Sequence, residues 1–91
     1  MLGKRVVVIG RWSDPSSHTL ELQDFVRNGE TFIPLFSDED HFDRETMGSG
    51  FESEGISIDT DFFVSPLRGD ELLILNPGST SPTRLRKSDL T

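Results

Sequence analysis

The sequence predicts an α+β fold of α/β-like character: a small mixed β-sheet that includes a hairpin around Asn28-Gly29, with two or three short helices packed on it. Three observations lead there. The runs Arg5-Val-Val-Val-Ile-Gly10 and Leu72-Leu-Ile-Leu75 are continuously apolar, as in strands covered on both faces. Two strand-like stretches flank Asn28-Gly29, the dipeptide that best tolerates the positive φ angles of a type I′ turn. After Phe36 and again after Ile58, apolar alternation gives way to Ser or Asp followed by acidic residues, the chemistry of a helix start.

At 91 residues the chain is read as one domain, residues 1–91. A chain this short buries only about 60–65% of the surface its unfolded form exposes, so its core is thin. It has no cysteine, which removes disulfides, thiolate metal sites and cysteine nucleophiles together. That usage fits a reducing compartment, and a cytoplasmic location is expected. No segment approaches the roughly 20 apolar residues of a membrane span. The apolar run near the start is short and is interrupted by Arg11, so it reads as a strand rather than a signal peptide.

Sixteen acidic residues against nine basic give a formal charge of −7. Displacing counterions from phosphates requires a positive surface, so nucleic acid is not expected as a partner; without an apolar span, neither is a membrane. The basic residues Arg84, Arg86 and Lys87 cluster near the end of the chain, opposite an acidic body, an arrangement suited to self-association or to an acidic partner.

Element by element, the first strand is stopped at Asp14-Pro15-Ser16-Ser17, with His18 in the same turn. The two-residue hairpin loop sets Arg27 opposite Glu30, Val26 opposite Thr31, Phe25 opposite Phe32, Asp24 opposite Ile33 and Leu22 opposite Leu35. This places a charge pair at the tip and an aromatic pair one alternation inward, each contributing about 0.2–1 kcal/mol. Pro34 lacks an N–H, which predicts an edge or a bulge there. Ser37 is the expected N-cap of a helix running to about Met47, with Asp40 closing a short-armed capping box. Gly48-Ser49-Gly50 ends it, and Phe42, with its neighbours at Glu45 and Thr46, docks it on the sheet. Ile56-Ser57-Ile58 alternates as a short strand; Asp59-Thr60 caps a brief helix carrying Phe62, Phe63 and Leu67, limited by Pro66. Asn76-Pro77-Gly78 suits a type II turn with glycine at the positive-φ position. The polar stretch after Ser79 holds a helix start at Ser88-Asp89-Leu90.

Candidate chemistry is sparse. Asp38, Glu39, Asp40, Asp43 and Glu45 with His41 supply oxygen ligands without the alternating spacing of a calcium loop, and helix capping accounts for them. Asp59 and Asp61 form an Asp-x-Asp at a strand end, as in metal–nucleotide and phosphate-attacking sites, yet they also make a capped helix start. No Gly-x-Ser-x-Gly elbow and no phosphate-binding Gly-x-x-x-x-Gly-Lys-Ser/Thr loop occurs. No catalytic, metal or cofactor site is therefore expected. Seven phenylalanines and no tyrosine point to an aromatic core; one or two rings on an exposed sheet face would instead mark an interface.

Phe32-Ile-Pro-Leu-Phe-Ser-Asp-Glu39, Gly55-Ile-Ser-Ile58 and Leu73-Ile-Leu-Asn-Pro-Gly-Ser79 occur in the order and spacing of one family. Over about Arg5 to Leu90 the chain resembles the N-terminal domain of the bacterial SseB ("enhanced serine sensitivity") proteins. Their strand-to-helix segment reads vPvFtseee and their later segment lvlNPgs; Ser37 stands where the family pattern has threonine. Family members often carry a C-terminal domain, whose role does not transfer. The resemblance implies a small α/β domain of poorly defined function with no catalytic residues to carry over.

The function expected is thus a non-catalytic protein-interaction or regulatory module, with a protein partner or a homodimer. The alternatives are a small-ligand or metal-binding domain, with its pocket beside the Asn76-Pro77-Gly78 turn and the helix starting at Ser37, and a small hydrolase using Asp59 and Asp61.

Overall fold

Alternate residues of the first strand enter different cores, which shows at once that the sheet is covered on both faces. In the computed structural model, which describes residues 3–14 and 19–90, Val6 and Val8 pack with Leu35, Ile58, Phe63, Leu73 and Leu85 on one face. Val7 and Ile9 pack with Phe36 and Phe42 on the other.

The strands are β1 (Arg5–Asp14), β2 (Thr19–Leu22), β3 (Phe25–Arg27), β4 (Glu30–Phe36), β5 (Gly55–Asp59), β6 (Leu73–Leu75) and β7 (Thr83–Leu85). β1 pairs antiparallel with β5 along Arg5 to Ile9 and with β4 at Val7–Phe36 and Val8–Leu35. β4 runs parallel to β6, and β6 antiparallel to β7. The sheet is mixed, as expected, but the helical part of the expectation is overturned. Among the described residues, one helix of eight residues, α1 (Glu39–Thr46), is joined only by the single-turn α2 (Thr60–Val64) and a 3-10 turn at Lys87–Asp89. Two or three helices packed on a sheet is therefore the wrong description; the domain is mostly β-sheet. The cause lies in the apolar residues, most of which fill the strands rather than helix faces. Pro66 follows α2 within two residues, and Thr83-Arg84-Leu85 enters the sheet, burying Leu85.

The hairpin forms only in part. Phe25–Phe32, Val26–Thr31 and Arg27–Glu30 pair as expected, with Asn28 at φ 54° and Gly29 at 77°. The expected pairs Asp24–Ile33 and Leu22–Leu35 do not form: Leu22 pairs with Gly10, and Ile33 and Leu35 pair with Leu73 and Leu75. β1 and β4 splay apart like a fork, and β2 and β3 fill the gap, one against each tine. Pro34 stands at the fork rather than on an edge. Ile33 N donates to Leu72 O and Leu35 O accepts from Asn76 N, so alternation turns the Pro34 nitrogen away from β6. On that side β3 pairing has ended at Phe32 and β1 pairing begins at Leu35, so the missing N–H leaves no ladder bond unmade. Gly10 lies beside this fork because a Cβ there would stand 2.5 Å from the Glu21 carbonyl oxygen.

The N-cap of α1 is Asp38, not Ser37: its carboxylate accepts from His41 N at 2.8 Å. Ser37 is engaged elsewhere, as shown below. Phe42 docks the helix, meeting Phe36 edge-on at 5.3 Å between ring centroids, and its ring lies directly on Gly55. Asp59 caps α2 as expected, accepting from Asp61 N at 3.0 Å. The turn expected at Pro15-Ser16-Ser17 and His18 lies outside the described residues. The charge pair expected between Arg27 and Glu30 is replaced by a two-bond pairing of Glu30 with Arg84.

A phenylalanine-lined cleft closed by a clamped turn

The face of the sheet that carries α1 is not fully covered by it. Side chains alternate along β3 and β4, so Phe25 and Arg27, and Phe32, Pro34 and Phe36, project to the same side. Together with Ile9 and Phe51 they line a half-open cleft of about 150 Å³. Phe25 meets Phe32 at 6.3 Å and Phe51 edge-on at 5.2 Å, contacts each contributing about 0.5–1.5 kcal/mol beyond their burial. The end of α1 (Glu45, Thr46), Ser49 and the Pro77-Gly78 turn complete its wall.

That turn is held by two charged residues acting on one peptide group. Arg27 Nη1 donates to the Pro77 carbonyl oxygen at 3.4 Å, and the N–H of the same peptide, from Gly78, donates to Glu45 Oε1 at 2.5 Å. The Arg27 guanidinium also lies 5.4 Å from the centroid of Phe32, a cation–π contact. Glu45 Oε2 is shielded from solvent and has no donor among the described residues; a buried oxygen left so costs on the order of 1–3 kcal/mol. The turn is not type II. Gly78 lacks a positive φ, and Asn76 takes the left-handed conformation instead, at φ 51°. A Cβ at 78 would sit 3.0 Å from Glu45 Oε1, close enough that the carboxylate would have to give by a few tenths of an ångström.

Asn76 also ties the turn to the start of α1. Its Oδ1 accepts from Ser37 N at 3.1 Å and its Nδ2 donates to Ser37 Oγ at 3.2 Å. Asn76 N donates to Leu35 O at 2.7 Å, and Asn76 O accepts from Ser79 Oγ at 2.7 Å. Both apolar runs that carry the family resemblance thus end in one polar knot at the rim of the cleft. A family model described as the SseB protein N-terminal domain matches residues 1–91. The chain belongs to the SseB family. Searches of curated proteins and of solved structures find no match.

In this SseB domain Ser37, His41 and Asp38 are neighbours, and their geometry differs from a hydrolytic triad. Ser37 Oγ and Asp38 Oδ1 both approach the same ring nitrogen, His41 Nδ1, at 3.3 and 2.9 Å, whereas a triad uses opposite nitrogens. The Asp38 carboxyl is held below its ordinary range, first by the His41 backbone N–H and then by the His41 ring. Within the cleft, Thr46 Oγ1 donates to Phe42 O and Ser49 Oγ to Thr46 O, both at 2.6 Å.

Asp59 and Asp61 lie outside the cleft. They are exposed at the start of α2, whose Phe63 and Val64 pack on the opposite face of the sheet. Among the described residues no group of three or more His, Cys, Asp or Glu is placed to hold a metal ion, and no helix is long and apolar enough to cross a membrane. Of the phenylalanines, Phe62 is 46% exposed and lies 6.1 Å from the 42%-exposed Trp12, while Phe32, Phe36, Phe42 and Phe63 are buried. Sequence reasoning placed a pocket beside the Asn76-Pro77-Gly78 turn but missed Arg27, Glu45 and Phe51. The one available signal was that Arg27 shares a strand face with Phe25; Glu45 reads as one more acid on an exposed helix.

Proposed function

We propose that this SseB domain is a non-catalytic binding module of the bacterial cytoplasm, whose working surface for a protein partner is the phenylalanine-lined cleft. The observation that carries this reading is the cleft itself: an aromatic hollow framed by the hairpin and by both family sequence runs. Well-packed apolar pockets are where protein interfaces seat their large anchor side chains. The absence of catalysis is supported by the hydroxyls of the lining, which are committed to backbone carbonyls. A domain with so thin a core also gains stability from anything that binds its folded state.

Toluene and indole are suitable probes of the hollow. Each is expected to raise the melting temperature, to move the amide resonances of Phe25, Phe32, Phe51 and Gly78, and to lose both effects in Phe51→Ala. A folded protein in which neither probe moves those resonances would overturn the reading.

A second reading, self-association, is favoured by Trp12 and Phe62, which lie together and exposed on the other face of the sheet. Sedimentation across a concentration series tests it: dimerisation abolished by Trp12→Ser with Phe62→Ser supports it, and a monomer at all concentrations removes it.

A further inference from the structure

We propose that the occupant of the cleft is a main-chain segment of a partner protein bearing one large apolar side chain, recognised by its backbone amide as well as by that side chain. This rests on the reading of the cleft as a binding surface and adds the chemistry of what enters it.

Size comes first. A hollow of about 150 Å³ matches an engineered apolar cavity that takes a single benzene ring. One side chain fits; a nucleotide or a larger cofactor does not. The phenylalanine walls select an apolar group, as in the anchor pockets at the centres of protein interfaces.

Charge comes second. The chain as a whole carries −7, yet the two charged groups at the cleft, Arg27 and Glu45, cancel. Neither a cation nor an anion is selected, which points to a neutral polar group. That group must offer both a donor and an acceptor. Glu45 Oε2 lacks a donor among the described residues, while the five N–H groups of the Arg27 guanidinium make one long bond, to Pro77 O. The terminal carboxylate torsion of a glutamate is soft, so this residue, already part of the wall, can turn its free oxygen toward the hollow.

Spacing comes third. Arg27 and Glu45 stand at the C=O and N–H ends of one peptide group, that of Pro77-Gly78. A fork and a carboxylate set one peptide apart are placed to read a second peptide group in the same way. A backbone amide is the neutral donor–acceptor pair that every protein partner carries.

The test compares N-acetyl-phenylalaninamide with toluene on the 15N-labelled full chain, in the wild type and in Arg27→Leu, a change at the exposed hairpin tip. The blocked amino acid is expected to bind at least tenfold more tightly than toluene. Arg27→Leu is expected to weaken it about tenfold, the loss of one hydrogen bond to a charged group, and to weaken toluene by a clearly smaller factor. Equal affinity for the two probes, or an equal loss of both, overturns peptide recognition while the cleft remains a binding surface. Binding of neither probe overturns both. Resonances of the cleft that shift with protein concentration alone assign the occupant to a second copy of this chain and overturn the partner-segment proposal.

Discussion

Asn76 and Ser37 are bonded in both directions, through Ser37 N to Asn76 Oδ1 at 3.1 Å and Asn76 Nδ2 to Ser37 Oγ at 3.2 Å. These residues end the two parallel neighbours β4 and β6, 39 positions apart in sequence. The pair therefore locks the register of β4 against β6 and fixes where the Pro77-Gly78 turn closes the cleft.

Asn76→Ala removes both side-chain bonds and puts a residue with a Cβ but no polar arm in the left-handed region. It is expected to lower the unfolding free energy by about 2 kcal/mol. Ser37→Ala is expected to cost less, about 1 kcal/mol, because the Ser37 N–H to Asn76 bond survives. Urea denaturation of both singles and the double should show a coupling of roughly 0.5 kcal/mol or more; strict additivity would mean that the two side chains act independently.

Gly55→Ala is expected to destabilise by about 1–3 kcal/mol, the usual cost of overpacking. The added methyl would stand 2.6 Å from the ring of the buried Phe42, which is wedged between α1 and the sheet. Phe42→Leu in the Gly55→Ala background should recover part of the loss in the same urea assay, since it frees the space the methyl needs.

Acid should weaken the fold. Glu30 is held below its ordinary 4.5 first by the hydrogen bond from Arg84, Asp38 below its ordinary 3.8 by the His41 backbone N–H, and Glu71 below 4.5 by the Arg68 backbone N–H. A carboxyl whose folded value is depressed contributes stability that is present above its unfolded value and lost as pH falls through its folded value. The urea midpoint is thus expected to be insensitive to these groups near neutrality and to decline from about pH 4.5 downward. Glu71→Gln should flatten that decline; an unchanged acid slope would show that Glu71 gains no folded-state preference for ionisation.

Trp12 is the sole tryptophan and is 42% exposed beside Phe62, so its emission should be readily quenched by acrylamide in dilute solution. Quenching that weakens as protein concentration rises would report burial of this face between copies. Quenching resistant even in dilute solution would contradict the exposure.

Much of the local structure was legible in the residues. The continuous β-branched run of β1 declared burial on both faces, Asn28-Gly29 declared its turn, and Asp59 declared its cap, because each depends on chemistry within a few positions. The helix content differs from the expectation because α2 ends after a single turn, with Pro66 two residues on, and the start at Ser88 closes only a 3-10 turn; Thr83-Arg84-Leu85, with no periodicity to read, becomes a strand when β6 offers it a ladder. The hairpin register sets Arg27 opposite Glu30, yet Glu30 is taken by Arg84 from 54 positions away. Ser37 was matched with the helix it precedes, yet Asn76 engages it and Asp38 becomes the cap.

By itself, then, the sequence determined the family, the mixed sheet and the places where strands stop, since short-range patterning and turn chemistry control those. Only the tertiary structure decided that β1 and β4 fork at Pro34, that both family runs end in one polar knot, and that Arg27 and Glu45 grip a single peptide over an aromatic hollow. These are meetings between residues far apart in the chain. Local propensity carries no information about them; they follow from which surfaces the sheet brings together once it has folded.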